Sequence, residues 1–375
     1  MPRVLLTATS YPRSEDDWQG IFIRRMCDAL AHERATELRV WAPPGPLDPE
    51  AGRSNSPSDD AFLRQLQNSG GIAHLMRSSP VSGARHAAEL LLRMRMAIHA
   101  ERHWTQVLHI NWLQCVIATA GSQTPVLATV LGSDLALLEK RWVRLAVKSA
   151  LRARKSVICP NAEWMVPVLQ HHLGDEQRDI RYVPFGLDPF WYQIERAPVA
   201  NRNIWLTVLR VTPRKIGALF EWTRDIDHQT NEFHLFGPMQ EHVEVPPWIH
   251  YHGAVTPTDL ANTWYPKATG MITLSLHDEG RPQVLLEAMA AGLPVLCSRT
   301  PAHTDLCEAN RLGPLVSNRE EFLSALQLLS DRETSQRQGA HTRDHISRAF
   351  GAWQDCAGRY AAIHEELSGE SARCA

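Results

Sequence analysis

Short β-type runs alternate with longer helical patterns from one end of this chain to the other, and the alternation starts afresh halfway along. In the first half Val4–Thr9, Leu38–Trp41, Val107–Ile110, Val126–Val130, Val157–Cys159 and Arg181–Val183 read as buried strands. Between them Ile21–His32, Ala87–Glu101, Leu135–Arg154 and Ala162–His172 carry apolar residues at helical spacing. Strand, helix and strand repeated this way form a parallel sheet covered on both faces, so the fold class is α/β. After the turn-rich stretch Pro184–Pro189 the pattern resumes, with strands at Ile204–Leu209, Phe233–Phe236, Ile249–His252, Met271–Leu274, Val295–Cys297 and Pro314–Val316. At 375 residues the chain exceeds what one core usually supports, which fits two doubly wound halves.

The expected domains are therefore 1–186 and 187–350, joined near 184–202. A closing helix over 351–375, with Trp353, Tyr360 and Ile363 needing apolar surface to cover, is expected to pack back on the first domain. Helix punctuation supports the second half: Thr256 reads as an N-cap before Pro257, and Ser317-Asn318-Arg319-Glu320 as a capping box. The segment 43–83, rich in Pro, Ser, Gly and Asp, reads as an irregular or mobile insertion.

Charge narrows the function. Lys plus Arg (39) nearly balance Asp plus Glu (41), and no run of bases is interleaved with aromatics, so a nucleic-acid partner is not expected. The cysteines at 27, 115, 159, 297, 307, 356 and 374 are scattered, without the two-residue gap of a zinc or redox motif, and fit a reducing cytoplasm. The N-terminal apolar run is too short for a signal peptide, and charges interrupt every later stretch before the ~20 apolar residues of a membrane span.

The stretch Gly270–Leu296 carries the most chemistry. It reads as a strand, a tight loop with Glu279 and Gly280, a helix begun by Pro282 and stopped at Gly292, then another strand. In a doubly wound sheet the ligand crevice lies beyond the carboxyl ends of the strands, where that loop sits. The amides of Arg281, Pro282's successor Gln283, and Val284 would point into it, and the helix dipole favours an anion such as a pyrophosphate. Glu287 stands alone as a carboxylate in an otherwise apolar helix, where a pair of ribose hydroxyls would satisfy it; by pattern alone a solvent-facing helix edge explains it equally well.

Glu279 and Glu287, followed by Ala-Met-Ala-Ala-Gly-Leu-Pro-Val, closely resemble the signature of the retaining family 4 glycosyltransferases. Upstream, Leu206-Thr-Val-Leu-Arg210-Val-Thr-Pro-Arg-Lys215 looks like the family's element in which an arginine and a lysine five positions later clasp the donor's diphosphate. Two departures stand out: Ile216 separates Lys215 from Gly217 where the family has glycine directly, and Phe185 replaces the asparagine of its interdomain turn.

The resemblance implies a GT-B fold, two Rossmann-like domains facing across a cleft. It implies a metal-independent, retaining hexosyltransferase without cofactor, whose co-substrate is a nucleotide-diphosphate sugar and whose acceptor is a glycan or lipid-linked glycan in cell-surface polymer assembly. Glu279, Arg210 and Lys215 would be catalytic. Gly280, Arg281, Pro282, Gln283, Val284, Glu287 and, in the first half, Gly20 would hold the donor. On the acceptor side Trp18, Arg24, His109 and Asp134 are candidates, with His109 substituting for the cleft histidine that the family often has where this chain has Leu131. For Asp134 a helix N-cap role explains the residue as well, and for His109 a structural one. A non-catalytic nucleotide-sugar sensor is the competing reading.

Two further signals complete the inventory. Asp225 and Asp227 have the spacing of a metal-binding pair but follow a helix rather than a strand, and read as solvated charge. Arg141, Arg144, Lys148, Arg152 and Lys155 form a basic stripe opposite Val143, Val147, Ala150 and Leu151, which suits either an exposed helix or contact with anionic lipid at the inner face of a membrane.

Overall fold

The computed structural model describes residues 1–369 apart from 16, 33–35, 153, 175–178, 200 and 278. The chain forms two compact units, one of Met1–Phe185 with the chain from Trp353 onward, the other of Gly186–Ala352.

In the first unit the elements run β1 (Arg3–Thr7), α1 (Ile21–His32), β2 (Glu37–Trp41), β3 (Gly52–Arg53), α2 (Pro57–Asn68), α3 (Gly71–Ser78), α4 (Pro80–Ala100), β4 (Val107–Asn111), β5 (Val126–Val130), α5 (Leu135–Leu138), α6 (Arg141–Arg152), β6 (Ser156–Pro160), α7 (Met165–Leu173) and β7 (Asp179–Ile180). The strands form one parallel sheet in the order β3-β2-β1-β4-β5-β6-β7, with Thr7 beside Trp41 on one side and Ile110 on the other. The strands of this sheet are apolar almost throughout because both faces are covered.

In the second unit follow β8 (Asn203–Val208), α8 (Pro213–Ile216), α9 (Leu219–Thr223), β9 (Asn231–Phe236), β10 (Ile249–Tyr251), α10 (Pro257–Asp259), β11 (Gly270–Thr273), α11 (Gln283–Ala290), β12 (Val295–Ser298), α12 (Pro301–Cys307), β13 (Leu315–Val316), α13 (Arg319–Ser330) and α14 (Arg332–Ala349). Its sheet, again parallel, has the order β10-β9-β8-β11-β12-β13. The last helix, α15 (Trp353–Ser368), returns to the first unit, where it packs on α1 and buries Trp353, Tyr360, Ile363 and Leu367 against Val4, Leu6, Val107 and Leu127. Each such side chain contributes roughly 2 kcal/mol. Residues 370–375, including Cys374, lie outside the described ones; the other six cysteines are buried and free.

Four local expectations are corrected. The 43–83 segment is irregular only up to residue 56, apart from β3: Pro57 and a capping box between Ser56 and Asp59 start α2, whose Phe62, Leu63 and Leu66 enter the core, and α3 and the start of α4 follow. From Ser56 onward the polar residues are caps and solvent faces of helices rather than loop. The single helix expected over Leu135–Arg154 is two, and Arg144 donates to the carbonyl of Leu138 at the break. The cap of α13 is Asn318, which accepts from the amide of Glu321, one residue beyond the box read from Ser317. Pro282 does not occupy the first turn of α11 but the cap position, with extended backbone, and the helix begins at Gln283.

Candidate active site

In the second unit β8 and β11 are neighbours at the centre of the sheet, with β9 and β10 wound to one side and β12 and β13 to the other. This is the point at which a doubly wound sheet opens a crevice beyond its strand ends. The chain leaving β8 carries Arg210 and Lys215, and the chain leaving β11 carries His277 and Glu279.

Local chemistry fixes these loops. Thr212 caps α8 by accepting from the amide of Lys215, and Pro213 suits the first turn, so the lysine stands on a short helix. Gly217 then leaves at φ +56°, where a Cβ would meet the carbonyl oxygen of Leu274 at 1.9 Å. The glycine displaced by Ile216 is thus still required, one step later. Arg214 ties the two loops together: its carbonyl accepts from the Leu276 amide at 2.9 Å and its Nε donates to the Leu276 carbonyl at 2.9 Å.

The ties bring Lys215 and Glu279 into a direct ion pair through Nζ and Oε1, with 12% and 24% of their side chains exposed. Burial lowers the Lys215 ammonium below the usual lysine range, Arg210 adding to the effect and Glu279 opposing it. Burial alone would raise the Glu279 carboxyl; Lys215, with His277 and Arg210, outweighs it and holds the acid below the usual carboxylate range. One carboxylate among several cations stays ionised, and a cation crowded by other cations is the partner that suffers. The site is therefore cationic around one committed acid.

Gln283 and Val284 are the first residues of α11, whose opening amides lack a carbonyl one turn earlier. The far end of the same helix is clasped by two guanidiniums: Arg196 donates to the Gly292 carbonyl at 2.8 Å and Arg343 to that of Ala291 at 2.6 Å. A cavity of about 530 Å³ lies beside them, but both arginines cap the helix C-terminus, away from the charged loops.

The remaining expected donor residues divide. Gly280 is buried in the loop, and Glu287 lies one turn after Gln283, close enough to Tyr265 for its charge to help burial raise that phenol. Val284 packs on the unit's core. Arg281 was expected to offer its amide; its guanidinium turns inward to Asp305 at 2.5 Å with 3% exposure and lies over Phe350. Gln283 likewise spends its side-chain amide on the Gly186 carbonyl at 2.8 Å. Asp278 lies outside the described residues.

Sequence reasoning passed over His277 and His303. His303 opens α12, its ring Nδ1 2.9 Å from the Ser298 carbonyl, and burial lowers its pKa against a smaller opposing effect of Glu279. Both histidines feel the Glu279 charge, yet neither belongs to a spacing pattern, and only the fold brings them to the loop. Among the described residues no three His, Cys, Asp or Glu side chains are arranged to hold a metal ion.

The first unit treats its candidates differently. Gly20 has φ +75° and no room for a Cβ, which would lie 2.7 Å from the Tyr11 amide nitrogen. Trp18 stays exposed, and Arg24 is engaged by Glu15 and Asp28. His109 sits within β4 beside Leu6 and Leu127, fully buried beneath α15, with Nε2 2.9 Å from Thr129 Oγ1 and Nδ1 3.2 Å from His364 Nε2. Asp134 is neither acceptor ligand nor side-chain cap, since its carboxylate closes a loop by accepting from the amides of Leu113, Leu131 and Gly132. Trp112, just beyond β4, adopts φ +66°, a genuine outlier for a bulky residue. The adjacent Asn111 bonds the Thr7 carbonyl at 3.1 Å while its buried Oδ1 has no partner.

The fold is that of the GT-B glycosyltransferases. Sucrose-phosphate synthase from Thermosynechococcus elongatus superposes with a TM-score of 0.72 at 16% identity, over 99% of this chain and 100% of that one. Anabaena HepE, solved in complex with UDP-glucose, superposes with a TM-score of 0.65 at 14% identity over 98% and 100%. Residues 206–332, which hold Arg210, Lys215, Glu279 and Glu287, match the family of glycosyl transferases group 1. Spore coat protein SA of Bacillus subtilis is 26% identical over 156 residues, 40% of this chain and 39% of that protein's length. No described helix is long and apolar enough to cross a membrane.

Proposed function

We propose that the protein is a retaining glycosyltransferase that uses a nucleotide-diphosphate sugar. The observation that carries this is the Lys215–Glu279 ion pair, under the charge of Arg210, in the loops that follow β8 and β11 within the stretch matching glycosyl transferases group 1. In the proposed reaction the donor diphosphate lies between the opening amides of α11 and the two cations, Glu287 holds the ribose, and Glu279 orients the sugar while keeping Lys215 in place. The bond from the anomeric carbon to the phosphate oxygen breaks with its electron pair on phosphate. The acceptor hydroxyl oxygen forms the new bond from the same side, and its proton passes to the departing phosphate.

Arg210, Lys215 and the helix amides answer the charge that develops on the leaving group, the role filled elsewhere by a metal ion. Retention and metal independence rest on the family resemblance, as does a glycan or lipid-linked acceptor at the cytoplasmic face. UDP-glucose, the ligand of HepE, is the first donor to try. The experiment is thermal unfolding with UDP-, GDP- and ADP-sugars, followed by anomer analysis of the product by NMR. A donor at ~100 times its dissociation constant adds about 2.7 kcal/mol of stability. An inverted product rejects the stereochemistry; saturable binding with no nucleotide release under any acceptor turns the reading to a sensor.

A further inference from the structure

Burying a cation is costly unless an anion accompanies it, and arginine is rarely buried without one. The second unit does this twice in one place. Arg196 donates through Nη1 to the Gly292 carbonyl at 2.8 Å and through Nη2 to those of Ala268 and Thr269 at 2.9 and 3.0 Å. Arg343, on α14, donates through Nη2 to the carbonyls of Ile194 and Ala291, each at 2.6 Å. Neither guanidinium pairs with a carboxylate among the described residues, and the Nε of each is buried without a hydrogen-bond partner. Burial lowers both below the usual arginine range, Arg196 to about 10, where the charge of Arg343 adds to the effect. The negative end of α11, worth about half a unit charge, offsets only part of two full ones.

The backbone is shaped around this pair. Gly339 stands in the middle of α14, where glycine weakens a helix; a Cβ there would lie 1.9 Å from the Gly292 carbonyl oxygen and 3.0 Å from Nη1 of Arg196. The carbonyls hold both guanidiniums in place beside a cavity of about 530 Å³, within the roughly 300–1,000 Å³ of small-molecule sites. Tyr192, Gln336 and Ser347 also line it, supplying a ring, an amide and a hydroxyl. Asp344, the one carboxylate among the described lining residues, is paired with Arg348. Nη1 of Arg343 has no protein partner among the described residues.

A ligand with one negative charge would leave one cation unanswered. A phosphate monoester carries about −1.5 to −2 at pH 7 and offers three acceptor oxygens, to which guanidinium donors are well matched. The amide and hydroxyl suit a remainder that itself carries hydroxyls. We propose that this cavity binds a phosphate monoester of a small hydroxylated molecule, the phosphate held by Arg343 under the charge of Arg196, at the end of α11 away from Lys215 and Glu279. The site does not depend on the catalytic reading of those charged loops.

The test is isothermal titration of the full chain with ribose 5-phosphate, inorganic phosphate and ribose. Ribose 5-phosphate should bind saturably and ribose should not. Arg343→Gln should weaken binding about 10- to 100-fold, the loss expected when a hydrogen bond to a charged group is removed. That variant also loosens the end of α11, so Ala340→Trp provides a second arm: Ala340 is an exposed residue of the cavity wall, and the larger ring fills the space while thermal unfolding stays unchanged. Binding should be lost in Ala340→Trp and kept in Lys215→Ala. Inorganic phosphate bound as tightly as the ester supports the anion site and names free phosphate as its ligand. Binding that survives Ala340→Trp and disappears in Lys215→Ala belongs to the charged loops and overturns the proposal. So does the lack of saturable binding by either phosphate, and so does ribose bound as tightly as its 5-phosphate.

Discussion

The two sheets have the same winding about their central strand pair, β1 with β4 in one unit and β8 with β11 in the other, yet the loops beyond those pairs are chemically unlike. Beyond β8 and β11 stand Arg210, Lys215, His277 and Glu279, ionisable groups whose charges act on one another. Beyond β1 and β4 stand Gly20 and Trp112, with Asn111 the last residue of β4, and the titratable candidates near them are spent on structure: His109 under α15, Asp134 on three amides. A shared topology thus fixes where a crevice opens, and the loop residues decide what it does.

The most severe way to break this contrast is Lys215→Ala. Removing one fixed charge that stabilises a developing anion typically costs a factor of 10²–10³ in rate, about 3–4 kcal/mol. Steady-state turnover with a working donor should fall by that factor while the thermal unfolding transition persists, because the lysine lies on a short surface helix rather than in the core. Turnover within threefold of the parent would remove Lys215 from the chemistry and leave the second unit's loops no more catalytic than the first's.

His109→Ala probes the other side. The side chain is fully buried and its loss strands Thr129 and His364 as well as opening a cavity, so about 2–4 kcal/mol of stability should go. Turnover per folded molecule should hold. A selective fall in rate with unchanged stability would return His109 to the acceptor side and undo the division of labour.

What could be read in advance follows the same division. Most strand positions were legible because buried parallel strands are continuous apolar runs, the exceptions being the two-residue edge strands β3 and β7, the latter at Asp179–Ile180 rather than Arg181–Val183; the start of α10 was legible because Thr256, Pro257 and Asp259 make a strong local signal. The family signatures around Lys215 and Glu279 marked two short loop-to-helix segments, and the fold brings these two residues together in one ion pair. For His109 the structural alternative is the one its burial favours, but its depth was not legible because it depends on α15, some 250 residues later in the chain, and the partner of the Arg281 guanidinium was not legible because Asp305 stands on another helix. The α2–α3 region was misread because Ser, Pro and Asp mark helix starts as well as loops.

The smallest expected effect is a pH dependence, and it tests whether titration in the working range belongs to the second unit alone. Lys215 must be charged to hold a diphosphate, and burial has lowered its pKa, so the alkaline decline of turnover should begin below the ordinary lysine value of about 10.4. Lys215→Arg keeps its charge throughout that range, so the decline should move upward or vanish, at a reduced maximal rate because a planar guanidinium replaces a point charge. The first unit's imidazoles contribute to stability instead. Burial lowers His109 far below its usual value and His364 to about 3, so the unfolded chain takes up protons that the folded one refuses. Their stabilisation is complete above about pH 6.5 and is lost as pH falls toward the folded values. A turnover profile whose alkaline decline is identical in Lys215→Arg and the parent would assign that titration to another group, and the cationic cluster would lose its claim to the leaving phosphate.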